Sequence, residues 1–167
     1  MIKEIEILPI SEELIQSFHA CLDSVARERI YIGGVKARPL ETTSEFVKSN
    51  ITNNIPQYVA VEGKRVVGWC DIIPMKGIDF SHCGGMGMGV HKDYRGQGLG
   101  TRLLETTLDA AKEFGIERVE LEVYTSNTRA IRLYEKFGFM LEGIKKKARK
   151  LDGEYYFIKV MALFINP

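Results

Sequence analysis

The segment from His82 to Phe114, HCGGMGMGVHKDYRGQGLGTRLLETTLDAAKEF, constrains this chain most. Gly84, Gly85, Gly87 and Gly89 fall in a stretch, His82 to His91, that otherwise reads as a strand. Each glycine costs chain entropy and removes packing, so a strand keeps several only where a backbone or a ligand must approach closely. The loop Arg95-Gly96-Gln97-Gly98-Leu99-Gly100 then feeds a helix predicted over Leu99–Phe114, with Gly115 as its C-cap. Leu99, Leu103, Thr107, Ala110, Ala111 and Phe114 share one face of that helix. Glycines let several N–H groups point one way, and the helix start adds unbonded N–H groups and the positive end of its dipole. The combination suits a phosphate or pyrophosphate. The competing reading is a bulged strand followed by a Gly-rich turn. The GxGxG spacing is not the dinucleotide GxGxxG, and no GK[ST] follows, so Walker-type chemistry is excluded.

The rest of the chain supplies the frame. Met1 to Leu8 alternates weakly and reads as a strand ended by Pro9. Ser11 caps a predicted helix carrying Leu14, Phe18, Cys21, Leu22 and Val25. Tyr31 to Glu41 is a loop, and a second helix is expected from Ser44 to about Asn54 with Phe46, Val47 and Ile51 facing inward. Gln57–Val61 and Val66–Ile73 form a hairpin about Glu62-Gly63-Lys64. After the long helix come a strand at Val119–Tyr124 and a short helix at Thr128–Phe137. Strands near Phe139–Glu142 and Tyr155–Leu163 flank a basic, turn-rich segment. The order β-α-α-β-β-β-α-β-α-β-β predicts a mixed α/β fold, a largely antiparallel central sheet flanked by helices.

Composition narrows the function classes. At 167 residues one domain spanning 1–167 is expected. With 23 basic against 22 acidic residues, a protein dominated by nucleic-acid binding is disfavoured. The run Lys145–Lys150 reads as a solvated turn or strand edge. No apolar run reaches membrane-spanning length, and the first residues show no signal-peptide core, so a soluble cytoplasmic protein is expected. Cys21, Cys70 and Cys83 form no CxxC pair and His19 and His91 show no ligand spacing, so no metal is expected.

Two blocks now identify a family. Arg95-Gly96-Gln97-Gly98-Leu99-Gly100 fits [Q/R]-x-x-G-x-[G/A], and Asn127 to Phe139 fits N-x-x-A-x-x-x-Y-x-x-x-G-F at every named position. The chain resembles the GNAT superfamily of N-acetyltransferases, which move an acetyl group from acetyl-CoA to an amine, and the element order agrees over nearly its whole length. Val25–Tyr31, Pro39–Glu41 and Glu142–Tyr155 resemble bacterial acetyltransferases of amino acids and similar small amines. The resemblance implies acetyl-CoA as donor and a primary amine on a small acceptor. A protein N-terminal acetyltransferase is the alternative within enzymes, distinguished by an open groove rather than a closed pocket. A non-catalytic acyl-CoA-binding module is the alternative outside them. No nucleic acid or membrane partner is implied, and a homodimer is the commonest assembly for soluble oligomers generally.

Attack of a neutral amine on a thioester needs a held donor, a polarised carbonyl and routes for protons. The resemblance implies that Arg95, Gly96, Gln97, Gly98, Leu99, Gly100 and Thr101 hold the pyrophosphate. It also implies that Met88, Gly89 and Val90 flank the pantetheine arm, with the Met88 region N–H as oxyanion donor. Tyr134 is the implied acid for the departing thiolate. Asn127 bonds the pantetheine or caps its helix, and Ala130 leaves room for the donor. For the general base, His82 is the candidate on the glycine strand, with Glu122, Asp71 and a water chain as alternatives. Phe18, Glu28, Tyr31, Trp69 and Asp71 are candidates to line the acceptor pocket.

Overall fold

Why the glycine stretch is tolerated becomes clear from its neighbours. The computed structural model describes residues 4–165. Among them, strands β1 (Ile5–Pro9), β2 (Gln57–Glu62), β3 (Arg65–Pro74), β4 (Cys83–Val90), β5 (Arg118–Tyr124), β6 (Met140–Leu151) and β7 (Glu154–Phe164) form one sheet. Its order is β1-β2-β3-β4-β5-β7-β6. Every pairing is antiparallel except β4 with β5. The expected mixed, largely antiparallel α/β fold is the one found, in the expected element order.

Helices α1 (Ile15–Ala26) and α2 (Leu40–Thr52) cover one face of the sheet; α3 (Leu99–Phe114) and α4 (Thr128–Lys136) cover the other. The alternation of each strand divides the core accordingly. Val59, Val61, Val66 and Trp69 join Phe18, Cys21, Val25 and Val47 on the α1–α2 side. Ala60, Val67, Cys70 and Ile72 join Leu103, Leu104, Leu108 and Tyr134 on the α3–α4 side. Leu103 and Leu104 are fully buried, so truncating either to Ala costs about 2–5 kcal/mol.

Several local expectations shift. Met1–Lys3 of the first strand lie outside the described residues, and Pro9 is the last strand residue rather than the one after it. Ser11 precedes a short 3-10 turn, Glu12–Leu14, without a side-chain cap. The helix α2 begins four residues early, at Leu40 after Pro39, and buries Thr43, Val47 and Asn50. Phe46 and Ile51 stay exposed instead. The polar Thr43 and Asn50 hide the inward stripe from a hydrophobic count; Asn50 is compensated by its Nδ2 donating to Gln57 Oε1 at 2.8 Å. In α3, Phe114 lies exposed at the end and Leu104 and Leu108 take its place in the core. Of the two expectations for the basic segment, strand edge rather than turn is the one found: Lys145–Lys150 runs within β6, the sheet's edge strand, with a bulge between Lys145 and Arg149 and Lys147 at φ 50°. Lys147 and Lys150 lie over the Tyr155 ring on β7.

Candidate active site

The sheet opens where its one parallel pairing ends. β4 and β5 pair only from Cys83 to Gly85 against Arg118 to Glu120, and beyond that β4 loses its partner on that side. Backbone direction follows from the other edge. His91 N–H donates to Val67 O, so alternate residues, Gly89 and Gly87, bond β3. Met86, Met88 and Val90 therefore turn their N–H and C=O groups into the opening. A cleft of about 630 Å³ occupies it, lined by Met86–Val90, Leu121–Tyr124, the loop after β4, and α4.

The glycines have two different uses. A Cβ on Gly84 would lie 2.6 Å from Ile72, and one on Gly89 would lie 2.3 Å from the Trp69 indole. These two answer to packing within the sheet rather than to a ligand. Gly85 and Gly87 have no such obstruction. On the α1–α2 face, β4 thus presents no side chain at 85, 87 or 89.

At one end of the cleft lies the expected anion loop. Gly96 (φ +75°) and Gly98 (φ +80°) take the left-handed conformation that turns the chain into α3. The N–H groups from Gly96 to Thr101 have no acceptor among the described residues. Gly96, Gly98, Leu99, Gly100 and Thr101 line the cleft. Gln97 does not; its side chain turns back to Asp93 O at 3.5 Å. Gly100 allows close packing, since a Cβ there would lie 3.2 Å from Leu133. The Arg95 side chain is committed to the protein: Nε donates to Val90 O at 2.9 Å, and Nη1 and Nη2 donate to both oxygens of Glu28 at 3.0 and 2.5 Å. It also lies 4.4 Å over the Tyr31 ring. Arg95 thereby ties the loop to the end of β4 and to the chain after α1.

Across the cleft, α4 places Tyr134, Leu133, Ala130 and Asn127 along the lining. Asn127 Oδ1 accepts the Ala130 N–H at 3.3 Å, so it caps the helix while facing the cleft. Tyr134 is buried, and burial raises its phenol above the ordinary range, which keeps the O–H protonated.

The remaining candidates separate. Tyr31 lines the cleft. Phe18, Trp69 and Asp71 line a second cavity of about 400 Å³ beneath α1 and α2, which shares Ile32 and Gly33 with the first. Glu28 lines neither, because Arg95 holds it. His82 is not on the strand: it sits exposed in the turn before Cys83, with Nε2 3.4 Å from Cys83 Sγ. The Glu117 and Arg118 N–H groups bond its carbonyl, which fixes it at the closed end of the β4–β5 pair and away from the cleft. Glu122 lines the cleft but is paired with Lys145.

Arg129 is a residue the sequence reading passed over. Its Nη2 lies 3.2 Å from where a Gly96 Cβ would be, so a guanidinium covers the anion loop. It has no carboxylate partner among the described residues, and an exposed Arg just after Asn127 was the available signal. Arg149 is another: it donates to Arg29 O at 2.7 Å and Gly34 O at 3.3 Å, and stacks on Tyr124 and Tyr156.

Comparison with known proteins agrees with this geometry. The model of the acetyltransferase (GNAT) family matches residues 20–139. The L-amino acid N-acetyltransferase AaaT of Escherichia coli is 31% identical over 102 residues, 60% of this chain and 63% of that protein, so the match spans less than two thirds of the relative's length. A crystal structure of a GNAT-family acetyltransferase from Streptococcus pneumoniae superposes with a TM-score of 0.89 at 24% identity, covering 96% of this chain and 99% of that one. The yncA structure from Salmonella typhimurium, solved with its cofactor acetyl-CoA, gives 0.89 at 18% identity over 97% and 94%. Both structures share the fold, and the family match extends through the anion loop and the helix that carries Tyr134. This chain belongs to the acetyltransferase (GNAT) family.

Proposed function

We propose that this protein transfers the acetyl group of acetyl-CoA to the primary amine of a small acceptor, an amino acid or amino-acid-like compound. The observation that carries the reading is the split between β4 and β5, with the Met88 N–H turned into it and Tyr134 on the facing helix. The residues fit a long, anionic, thioester-bearing donor. The free N–H groups from Gly96 to Thr101 and the Arg129 guanidinium suit a pyrophosphate. The unpaired edge of β4 suits an amide-bearing arm, which would add to it as a strand does. The Met88 N–H would polarise the thioester carbonyl and hold the negative charge that develops on its oxygen. As the C–S bond breaks, the neutral Tyr134 O–H would give its proton to sulfur.

A small acceptor is favoured over a polypeptide because the acceptor side is roofed. Tyr31, Ile32 and Gly33 line the first cavity and Ile32 and Gly33 the second, and Arg149 and the Arg29–Asp152 pair (2.6 Å) fasten this segment to the β6–β7 hairpin. The test is release of CoA thiol from acetyl-CoA across free amino acids, amines, aminoglycosides and short peptides, with products identified by mass spectrometry. Turnover on free amino acids supports the reading. Turnover on peptides alone replaces the small acceptor with a protein terminus. Acetyl-CoA binding without acceptor-dependent thiol release contradicts catalysis altogether.

A further inference from the structure

The second cavity has a chemistry of its own. Its walls are apolar, with Phe18 and Leu22 from α1, Phe46 from α2 and Trp69 from β3. One carboxylate, Asp71, lies at its floor, 8% exposed, with no cationic partner among the described residues. Beside it stands Gln57, its cross-strand partner on β2, 2% exposed, whose Nε2 has no hydrogen-bond partner among the described residues. Lys36 and Arg38 stand exposed at the rim, neither in an ion pair among the described residues. A buried, unpaired carboxyl group is costly to ionise, and such groups cluster at functional sites.

Asp71 also adjoins a residue of the cleft. It pairs with Gly87 across the ladder, and its Oδ1 would stand 3.4 Å from a Cβ at that position. Gly87 lines the donor cleft and, with Gly85, leaves that face of β4 bare. The Met88 N–H is one residue further along, about 3.8 Å between Cα atoms. An amine seated on Asp71 thus has only bare glycine backbone between it and the proposed thioester position.

We propose that this second cavity is the acceptor subsite, that it takes a free α-amino acid with an apolar side chain, and that the Asp71 carboxylate receives the proton of its ammonium group. The proposal rests on the acetyltransferase reading above. The apolar side chain fills the Phe18–Phe46–Trp69 wall, and the carboxylate faces Lys36 and Arg38. The ammonium loses one proton to Asp71 and onward to water. The neutral nitrogen then forms the C–N bond, the C–S bond breaks, and the thiolate takes a proton from Tyr134. The second proton of the amine restores the Tyr134 phenol, so the products are the amide, CoA thiol and one released proton.

Burial raises the Asp71 carboxyl to about 7, so it becomes an ionised acceptor only above that pH. Around it, α1 and α2 offer the cavity no titratable side chain, and its ladder neighbours are Gln57 on β2 and Gly87 on β4. Lys36 and Arg38 are the charges at the mouth. Cys70, its neighbour in β3, faces the opposite layer, and burial pushes its thiol up.

The experiment measures kcat/KM against pH for leucine, methionine and phenylalanine, for their α-amides, and for isoamylamine. It compares wild type, Asp71→Asn and the double variant Lys36→Ala/Arg38→Ala, with acetyl-CoA binding titrated on each. The wild-type profile should rise through about pH 7. Asp71→Asn should lose that inflection and about 10²–10⁴-fold in rate, with acetyl-CoA binding unchanged. The α-amides should be roughly tenfold or more worse for wild type and no worse than the acids for the double variant. Equal use of acids and amides by wild type, a comparison that needs no variant to fold, overturns the zwitterion pocket. An unaltered pH profile in Asp71→Asn overturns the proton acceptor while leaving the acetyltransferase intact. If wild type acetylates no amine or peptide at all, the proposal falls together with the reading it rests on.

Discussion

Burial keeps the Tyr134 phenol protonated, as the proposed acid for a departing thiolate must be. Tyr134→Phe removes the proton and little volume. It should lower kcat about 10²-fold or more while leaving acetyl-CoA affinity close to wild type, a split visible by comparing initial rates with a binding titration. An unchanged kcat with chemistry limiting the rate contradicts the role. Asp71 shows the opposite use of burial. Its carboxyl is raised above the unfolded value of 3.8, so between about pH 4 and 7 the folded chain binds more protons than the unfolded one and stability falls as pH rises. Asp71→Asn should therefore stabilise the protein above pH 7 by about 1–4 kcal/mol, with the gain vanishing near pH 4, as read from urea unfolding at both pH values. That Tyr134 and Asn127 share one cleft was legible because a spaced motif marks them. Glu28 was misread because its partner, Arg95, is 67 residues away, and His82 because a strand boundary moved by one residue.

The strand β4 was legible as unusual, and its geometry explains only part of what the glycine count suggested. Gly84 and Gly89 make room for Ile72 and Trp69, whereas Gly85 and Gly87 leave a bare surface. Sequence alone cannot separate the two, because the deciding neighbour lies across the ladder. Gly89→Ala should thus destabilise the fold by about 1–3 kcal/mol through its clash with the Trp69 ring, seen as a lower midpoint in denaturant. Gly87→Ala meets Asp71 only at contact distance and should fold nearly as wild type. The α3 boundaries followed directly from strong periodicity, Gly98 and Gly115. The start of α2 did not, because its buried face carries Thr43 and Asn50. At the anion loop, Arg129→Ala should raise the KM for acetyl-CoA roughly tenfold with less effect on kcat, as loss of one charge-assisted contact to phosphate requires.

At the scale of the whole molecule, the site depends on segments far apart in the chain. The β6–β7 hairpin holds the Arg29–Gly34 stretch through Arg149 and Asp152, and that stretch roofs both cavities. Arg29 is kept at φ 66°, a conformation that costs a non-glycine residue about 1 kcal/mol or more and persists here under those contacts. Arg149→Ala should loosen the roof and raise the acceptor KM several-fold, with acetyl-CoA binding much less affected. None of this was legible beforehand, since the basic run containing Arg149 carries no local sign of its distant partner. The proposed donor site depends throughout on the parting of β4 from β5. A crystal structure with acetyl-CoA bound tests it most directly. The pyrophosphate is expected on the Gly96–Thr101 N–H groups and beside Arg129, and the thioester carbonyl oxygen within hydrogen-bond distance of the Met88 N–H. Acetyl-CoA seated elsewhere, such as along the basic edge of β6, or in the cleft with its carbonyl turned from Met88, would contradict it.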